Sequence, residues 1–390
     1  MISVRGRPRW GWSGGRRGRR WVVLVAVLAL AMPGCDQHRR SGQATSSISA
    51  SARVAAAVEA DFSRYVGDNE ISAIVVTVDG RPLFERYYDT TAEESRSVFG
   101  ITSCVMGTLI GQAIGEGRLR LEDRLSDLLP KYATQMTPRV AGVTLRQLLT
   151  MTGGFPITND VSAYAQMVRS KDWIRFILAH QDGVPGKEFI YSDFAAHLLS
   201  PILEQATGQR VLEYARSHLF DPLGIPSRPA VQPVATGRYV GEFNRARFAW
   251  PTDPQGFTLG FTHLKITPRD MAKLGQLYLQ QGQWRGKQIV PAEWIHQATM
   301  VQGSAAPTGY GYLWSVRLTD GTPAFDAKAL GGQMIQVIPQ RRLVVVISSR
   351  VDLTTYTSDL SAGDLQRLAV TIFRAVGTST RSARPLPTTR

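Results

Sequence analysis

Two adjacent side chains, Ser103 and Cys104, are of types that could attack a carbonyl group. Both lie in the segment 98–115, whose apolar residues predict a helix. A serine hydroxyl is an effective nucleophile only when a neighbouring base takes its proton, and Met106 and Gly107, one turn further on, cannot do so. Cys104 is turned by about 100° from the Ser103 direction. We expect it to be a small core residue, because a lone cysteine flanked by apolar residues usually is one.

Other chemistries are excluded by spacing. No two histidines are three or four residues apart as metal ligands on a helix would be, no cluster of cysteine with histidine occurs, and no phosphate-binding loop is present. Basic residues beyond position 40 are dispersed, whereas a nucleic-acid-binding face clusters them. The sequence therefore predicts no metal, no cofactor and no nucleic-acid partner.

The composition is that of a globular protein with a basic leader. The chain has 390 residues, is 43% hydrophobic and carries a net charge of +14. Nine arginines and one acid, Asp36, lie in the first forty residues, so this stretch contributes +8 and the remainder +6. The excess of positive charge thus belongs largely to the N-terminal segment.

That N-terminal segment has the organisation of an export signal. A basic stretch is followed by an apolar run from Trp21 to Met32, shorter than the roughly 20 residues that span a membrane. Pro33 and Gly34 precede Cys35 and resemble a bacterial lipobox, which implies lipidation of Cys35; a plain secretory signal is the alternative. We expect an exported protein anchored by lipid to the outer face of the cytoplasmic membrane, in the periplasm or at the cell surface.

The domain boundaries follow from composition. Residues 1–35 are the predicted lipoprotein signal peptide, 36–51 a flexible tether rich in Ser, Arg and Gln, 52–376 the folded domain and 377–390 a disordered tail. With Cys35 lipidated, Cys104 has no partner for an internal disulfide.

The folded part combines strands at both ends with helices between them. Hairpins are predicted for 74–78 with 83–88 and for 335–338 with 343–347, and helices for 52–65 and 359–376. Further helices are predicted in the middle of the chain, at 98–115, 145–151, 173–180, 195–207, 211–219 and 270–281. The two ends should meet in one sheet with a helical insertion beside it, an α/β (α+β) fold.

The segment from Phe99 to Pro130 resembles, without a gap, the helix that follows the Ser-x-x-Lys motif in class C β-lactamases, their esterase relatives and 6-aminohexanoate-dimer hydrolases. Further landmarks of these proteins occur in the same order, at 143–154, 207–209, 220–224, 266–272, 282–284 and 310–314. The resemblance to this serine β-lactamase and penicillin-binding-protein-like superfamily extends from about residue 61 to about residue 375. It implies a five-stranded antiparallel sheet flanked by helices, an all-helical subdomain, and an active site in the cleft between them.

The resemblance places the nucleophilic serine of the superfamily at Gly100 and its lysine at Ser103. Glycine has no side-chain oxygen, and serine cannot replace the ammonium group that activates the nucleophile. The backbone amide of Gly100 remains, so one donor of an oxyanion hole is expected to survive.

The second motif matches the pattern of the superfamily more closely than the first. Tyr191-Ser192-Asp193 resembles the Tyr-x-Asn motif, in which the tyrosine relays a proton and the third residue hydrogen-bonds the substrate amide. Asparagine both donates and accepts hydrogen bonds, whereas ionised Asp193 only accepts them. A buried tyrosine that holds two subdomains together is the alternative interpretation of Tyr191.

The third motif, which is Lys-Thr-Gly or His-x-Gly in the relatives, corresponds to Ala327-Lys328-Ala329, just before Leu330 and Gly331. The cation is absent from the first position. Strand alternation should point Lys328 to the opposite face, where we expect a solvated surface residue. The amide of Leu330 is expected to face the cleft.

The sequence thus predicts a lipid-anchored relative of serine hydrolases that binds a peptide, amide or cell-wall-like ligand without cleaving it. Its predicted ligand-binding residues are Gly100, Tyr191, Asp193, Leu330 and Gly331. The alternative is an active hydrolase of the amide, ester or β-lactam class in which Ser103 and Tyr191 are catalytic.

Overall fold

The computed structural model describes residues 48–67, 71–156, 161–236, 240–303, 309–351 and 360–377. The predicted signal peptide with Cys35, the predicted tether up to residue 47 and the predicted tail beyond residue 377 lie outside these ranges. Within them, no helix combines the length and the apolar character that crossing a membrane requires.

The described residues form fourteen α-helices, labelled α1 to α14 in chain order: Ala50–Gly67, Ile101–Gly115, Leu125–Leu128, Pro138–Ala141, Leu145–Leu149, Val161–Arg169, Trp173–Ala179, Asp193–Thr207, Val211–Ala215, Asp221–Leu223, Val240–Arg245, Pro268–Leu279, Ala292–Ala298 and Ala362–Val376. The same ranges contain ten strands, β1 to β10: Ile71–Val78, Arg81–Tyr87, Arg96–Ser97, Lys265–Ile266, Gln283–Trp284, Lys287–Gln288, Ser315–Thr319, Thr322–Ala329, Gln333–Ile338 and Leu343–Ser349.

One large antiparallel sheet joins the two ends of the folded part. Its strand order is β2-β1-β10-β9-β8-β7, and Val75 of β1 lies opposite Val346 of β10. The predicted fold class and the meeting of the N- and C-terminal hairpins in one sheet are therefore confirmed.

The sheet of the described residues has six strands, one more than the five expected, and β7 was not predicted. Its sequence contains a charged residue, Arg317, and its Leu318 side chain is exposed, so β7 lacks the apolar run that marks β1 and β10. Asp320 and Gly321 both have positive φ and form the two-residue turn that joins β7 to β8.

Helices cover both faces of the sheet, which explains why β1, β9 and β10 are buried along almost their whole length. On the front face, Val75, Ile335 and Val346 belong to a core shared with α2 and α12. On the back face, alternate residues such as Ile74 and Val345 pack with α1 and α14. Because α2 is buried on nearly every side, its apolar residues show no single stripe.

The expected helix 211–219 is interrupted. Helix α9 ends at Ala215, and Arg216–Phe220 form a wider π-helical turn before α10. Pro222 has no N–H with which to reach the carbonyl of His218, four residues earlier. Gln112 of α2 donates its side-chain N–H to that carbonyl instead, at 2.7 Å.

Candidate functional site

Helix α2 begins at Ile101, with Gly100 as its N-cap, rather than at Val98 as predicted. Phe99 adopts a positive φ of 44°, which no right-handed helix contains, and so forces a sharp turn just before Gly100. The Phe99 ring packs against His263, with ring centroids 5.5 Å apart. The first three amides of the 15-residue helix α2, from Ile101 to Ser103, donate to the carbonyls of the three residues that precede the helix, at 2.9 to 3.1 Å.

The structure brings the three motif segments together at Gly100. A β-carbon built on Gly100 would lie 3.3 Å from Tyr191 Oη, 3.5 Å from Ala329 Cβ and 3.7 Å from the carbonyl oxygen of Lys328. These neighbours come from the segment before α8 and from the end of β8. The start of α2, Tyr191 and the end of β8 therefore meet around Gly100, where the resemblance places the active-site crevice of the superfamily.

Tyr191 is held in place by its chain neighbours. The amide of Ile190 donates to the Met151 carbonyl at 2.8 Å, and Ser192 caps α8 by accepting from the amide of Ala195 at 3.2 Å. Burial raises the pKa of the Tyr191 phenol far above its ordinary value, and Asp193 raises it further. An ordinary tyrosine is already protonated at neutral pH, so the effect of the raised pKa is that the phenolate form, which a general base would need, is not populated.

Ser103 lies one turn into α2, with its side chain towards Tyr191. Its hydroxyl is close enough to the phenol to lower the pKa of Tyr191 slightly, against the larger effect of burial. The residue is only 2% exposed, and among the described residues no basic side chain hydrogen-bonds its oxygen. The structure thus places Ser103 at the crevice without supplying a general base.

Cys104 packs in the core beside the crevice. Its thiol donates to the Leu313 carbonyl at 2.9 Å, and burial raises the thiol pKa well above its ordinary value. A nucleophilic cysteine needs a thiolate, so Cys104 is a core residue.

Lys328 points away from the crevice, as strand alternation predicts, but the expectation of a solvated side chain was wrong. That side chain is only 16% exposed, and its Nζ lies 3.9 Å from Oδ1 of the fully buried Asp326. Arg317 of β7 pairs with the same carboxylate. Burial lowers the pKa of Lys328, and Asp326 opposes that change. Arg317 lies on the edge strand β7, which was not predicted, and this strand helps to bury Lys328.

Leu330 and Gly331 follow β8 at the rim of the crevice. The Leu330 side chain is 49% exposed, which is high for a large apolar residue. Gly331 has a φ of 74°, and a β-carbon there would overlap the side chain of Val351. Backbone conformation and close packing therefore explain the glycine at position 331 without a ligand.

Tyr310 is a crevice residue that the sequence analysis treated only as a landmark. It is 7% exposed, its ring meets Phe189 edge-to-face at a centroid distance of 5.0 Å, and Tyr191 and Asp193 act on its pKa. Burial is the largest of the effects that raise this pKa. The landmark Tyr310-Gly311-Tyr312 is recognisable in the sequence. The residues around it, however, give no indication that the phenol of Tyr310 lies near Tyr191.

The described ranges contain no group of three or more His, Cys, Asp or Glu side chains arranged to hold a metal ion. The buried pair of His197 and Asp253, 3.2 Å apart, ties α8 to the loop 253–260. Asp253 also accepts from the amides of Gln255 and Phe257, so this pair is part of the scaffold.

Comparisons with known proteins agree with this geometry. A family model described as Beta-lactamase matches residues 60–368. Penicillin-binding protein 4 of Amycolatopsis lactamdurans is 27% identical over 289 residues, which are 67% of this chain and 74% of that protein.

Solved structures show that the fold is shared. A Bacillus anthracis protein assigned as a 6-aminohexanoate-dimer hydrolase has a TM-score of 0.62 at 20% identity, with 81% of each chain covered. A penicillin-binding protein homologue from Caulobacter crescentus has a TM-score of 0.62 at 16% identity, covering 84% of this chain and 97% of that one.

Proposed function

The chain belongs to the beta-lactamase family of serine-hydrolase relatives, and from this premise we propose that it binds a ligand at Gly100 without forming a covalent intermediate. The ligand class is a peptide, an amide or a cell-wall-like compound. The observation that carries this proposal is the glycine at the start of α2. The position that faces Tyr191 Oη and Ala329 has no side-chain oxygen.

The remaining groups suit binding better than bond cleavage. The Gly100 amide lies at the positive end of α2, where it favours a carbonyl oxygen. Tyr191 is protonated at neutral pH, as tyrosines ordinarily are, and can donate a hydrogen bond, while its raised pKa keeps the phenolate form unpopulated. Met106 and Gly107, one turn beyond Ser103, offer no base that would turn its hydroxyl into a nucleophile.

Incubation of the full chain with a fluorescent penicillin and with a reactive fluorophosphonate, followed by intact-mass measurement, tests the proposal. We expect no added mass under conditions that fully label an active family member. Covalent labelling at any residue of this chain would refute the proposal of a non-covalent binder.

A second candidate function is hydrolysis of an amide, ester or β-lactam by Ser103 with Tyr191. It is supported by the Ser103 hydroxyl, which acts on the pKa of Tyr191 and so lies near that phenol. Turnover of nitrocefin or p-nitrophenyl esters that is lost in both Ser103→Ala and Tyr191→Phe would establish this function. An unchanged rate in Ser103→Ala would eliminate it.

Export and lipid anchoring at Cys35 form a separate part of the proposal, with the membrane as partner and the domain on its outer side. The motivation is the basic and apolar leader that ends in Pro33-Gly34-Cys35. Cell fractionation should find the protein in the membrane pellet and the Cys35→Ala variant as an unprocessed precursor without lipid. Incorporation of a fatty-acid analogue into Cys35→Ala would contradict anchoring at this residue.

A further inference from the structure

One short segment, residues 263–265, holds the chain on both sides of Gly100. Before the glycine, the amide of Val98 donates to the carbonyl of Leu264 at 2.9 Å. After it, Thr102 Oγ1 accepts a hydrogen bond from the amide of Leu264 at 3.2 Å. All three partners are buried, where an unmade hydrogen bond is costly. The placement of Gly100 therefore depends on a segment that is distant in the sequence.

The turn before Gly100 is strained. Phe99 has a φ of 44° and His263 a φ of 66°, a left-handed backbone conformation that few residues other than glycine adopt. The rings of these two residues are 5.5 Å apart, and both residues are buried. Strained conformations of this kind persist only where the surrounding structure holds them, and they cluster at functional sites. The neighbours of Phe99 and His263 must therefore supply the contacts that hold the turn.

Helix α11 provides one of these neighbours. The ring of its Phe243 meets the His263 ring edge-to-face, with centroids 5.7 Å apart, and Phe243 is only 1% exposed. Because α11 has only six residues, it is too short to be stable by itself, and its position depends on packing and on the capping of its ends. A group that fixes the end of α11 therefore also fixes Phe243 against His263.

Lys265 is the residue that binds the end of α11. It is only 6% exposed, and an ammonium group has three N–H donors. These donors are directed to three backbone carbonyls, those of Phe243 at 3.1 Å, Asn244 at 2.8 Å and Ala246 at 2.6 Å. Carbonyls in the last turn of a helix have no amide partner within it, and a lysine side chain can satisfy them. The ammonium group also lies 5.5 Å from the centroid of the Phe243 ring.

The backbone of Lys265 connects this cap with the approach to Gly100. Lys265 lies opposite Ser97 in the pair of β3 with β4. Its amide donates to the carbonyl of Ala249 at 2.8 Å, so the main chain and the side chain of Lys265 both bind the segment that follows α11. A shift of α11 would thus reach both the β3-β4 pair and the rings beside Gly100.

We infer that Lys265 is a positioning residue for the proposed binding site at Gly100. By capping α11 it keeps Phe243 packed on His263, and the His263 ring in turn supports the strained turn at Phe99. The inference rests on the proposed binding function and goes beyond it, because it assigns a role to a residue that acts through its neighbours. It also accounts for a buried ammonium group at a position where an apolar side chain would avoid the cost of desolvation.

Hydrogen–deuterium exchange of the full chain in detergent, followed by mass spectrometry, tests this role. Lys265→Met keeps a long side chain and removes all three donors. Exchange of the amides at 97–103 should accelerate at least about tenfold more than exchange in β10, which reports on global unfolding, because the turn opens locally when its support is lost. Equal acceleration in both segments, or unchanged exchange at 97–103 in the folded variant, would overturn the inference.

Lys273→Met is the matched control. The Lys273 ammonium group also donates to a carbonyl, that of Gly224 at 2.6 Å, and to the carboxylate of Asp270 at 2.8 Å, but it lies on α12. This variant should leave exchange at 97–103 unchanged relative to β10. Lys265→Arg keeps charged donors and should return that exchange to within about threefold of the wild type. Equal effects of the two methionine variants, or an arginine variant as fast as Lys265→Met, would overturn the assignment of Lys265.

Phe243→Leu tests the same role through the ring contact, and it does so even if Lys265→Met fails to fold. In NMR spectra of the chain labelled at glycine, the Gly100 amide signal, assigned by its loss in Gly100→Ala, should shift in Phe243→Leu and stay in place in Phe220→Leu. Phe220 is the control because its ring is similarly buried and packs against Trp250. A Gly100 signal that does not move in folded Phe243→Leu would overturn the inference. These measurements use no ligand, whereas failure of the proposed binding function would appear as covalent mass added to the wild-type chain.

Discussion

Burial favours the neutral forms of ionisable groups on both faces of strand β8, and on the back face opposite charges also lie together. On the front, beside the crevice, burial favours the neutral forms of Tyr191, Tyr310 and Cys104. On the back, burial likewise raises the pKa of Asp326, but two neighbouring cations, Lys328 and Arg317, oppose that rise. One strand thus carries a cation that a catalytic crevice could use, but on the side that faces away from the crevice. A residue type in a motif has chemical meaning only together with the face to which it points.

Restoring the serine and the lysine of the superfamily on the front face should have the largest effect, which is an increase in the rate of covalent labelling. The Gly100→Ser, Ser103→Lys double variant supplies a hydroxyl near Tyr191 Oη and a lysine one turn later. The new β-carbon would lie 3.3 Å from that phenol, so a shift of a few tenths of an ångström accommodates it. We expect fluorophosphonate labelling at position 100 at least about 100-fold faster than in Gly100→Ser alone, because a positioned base typically contributes that much.

The measurement is the rate of mass increase, and circular dichroism confirms that both variants are folded. Absence of labelling in a folded double variant would mean that covalent reaction at position 100 needs further groups that the front face lacks.

On the back face, Asp326→Ala should destabilise the fold by about 3 kcal/mol, because it leaves two cations in a buried site without their counter-ion. Urea denaturation measures the change in the free energy of unfolding. Glu122→Ala is the matched control, since Glu122 also pairs with an arginine, Arg146, but both side chains are largely exposed. That control should cost less than about 1 kcal/mol. A similar cost for both variants would contradict a special role for burial.

Beside the crevice, His263 makes stability depend on pH. Burial lowers its pKa to about 4 from 6.5, so the unfolded chain binds a proton at a higher pH than the folded chain does. This contribution to stability is present above pH 6.5 and is lost as the pH falls from about 6.5 to about 4, by up to roughly 3 kcal/mol.

Unfolding free energies measured across this pH range should decline less steeply in His263→Gln than in the wild type. Exposed His296 is the control, and His296→Gln should leave the decline unchanged. An identical decline in wild type and His263→Gln would show that other groups cause the acid sensitivity.

The smallest effect is expected at Cys104. Cys104→Ala removes a buried thiol and its hydrogen bond to the Leu313 carbonyl, at a cost of about 1 kcal/mol. Chemical denaturation measures it, and Cys35→Ser should leave the free energy of unfolding of the domain unchanged. Loss of ligand binding in a Cys104→Ala variant that remains stable would show that Cys104 contributes directly to the crevice.

The strands and helices with a strong pattern in their own sequence were predicted correctly. The apolar runs of β1, β9 and β10, the long apolar segment of α2 and the helical period of α8 were read correctly, because these segments bury the apolar residues that mark them. Strand β7 was missed, although Asp320-Gly321 is a turn signal that would have revealed it. The π-helical turn at 216–220 also had a local signal in Pro222, whose missing N–H leaves the His218 carbonyl to Gln112.

The candidate site was predicted in part. The order of its segments allowed Gly100, Tyr191 and the end of β8 to be assigned to one crevice, and the structure brings them within contact distance. Tyr310 was not assigned to the site, because its proximity to Tyr191 joins segments more than a hundred residues apart. The burial of Lys328 was not predicted either, because it depends on Arg317 and Asp326 from paired strands.

The sequence by itself determined the family, the sheet with its helical layers and the absence of a side-chain hydroxyl at position 100, since these follow from residue identity, order and period. The tertiary structure alone decided which side chains meet around Gly100, which lysine is turned to the back of the sheet and which pKa values are shifted. Those properties depend on distance and burial across paired strands and packed helices, and electrostatic free energies change most steeply with these two quantities.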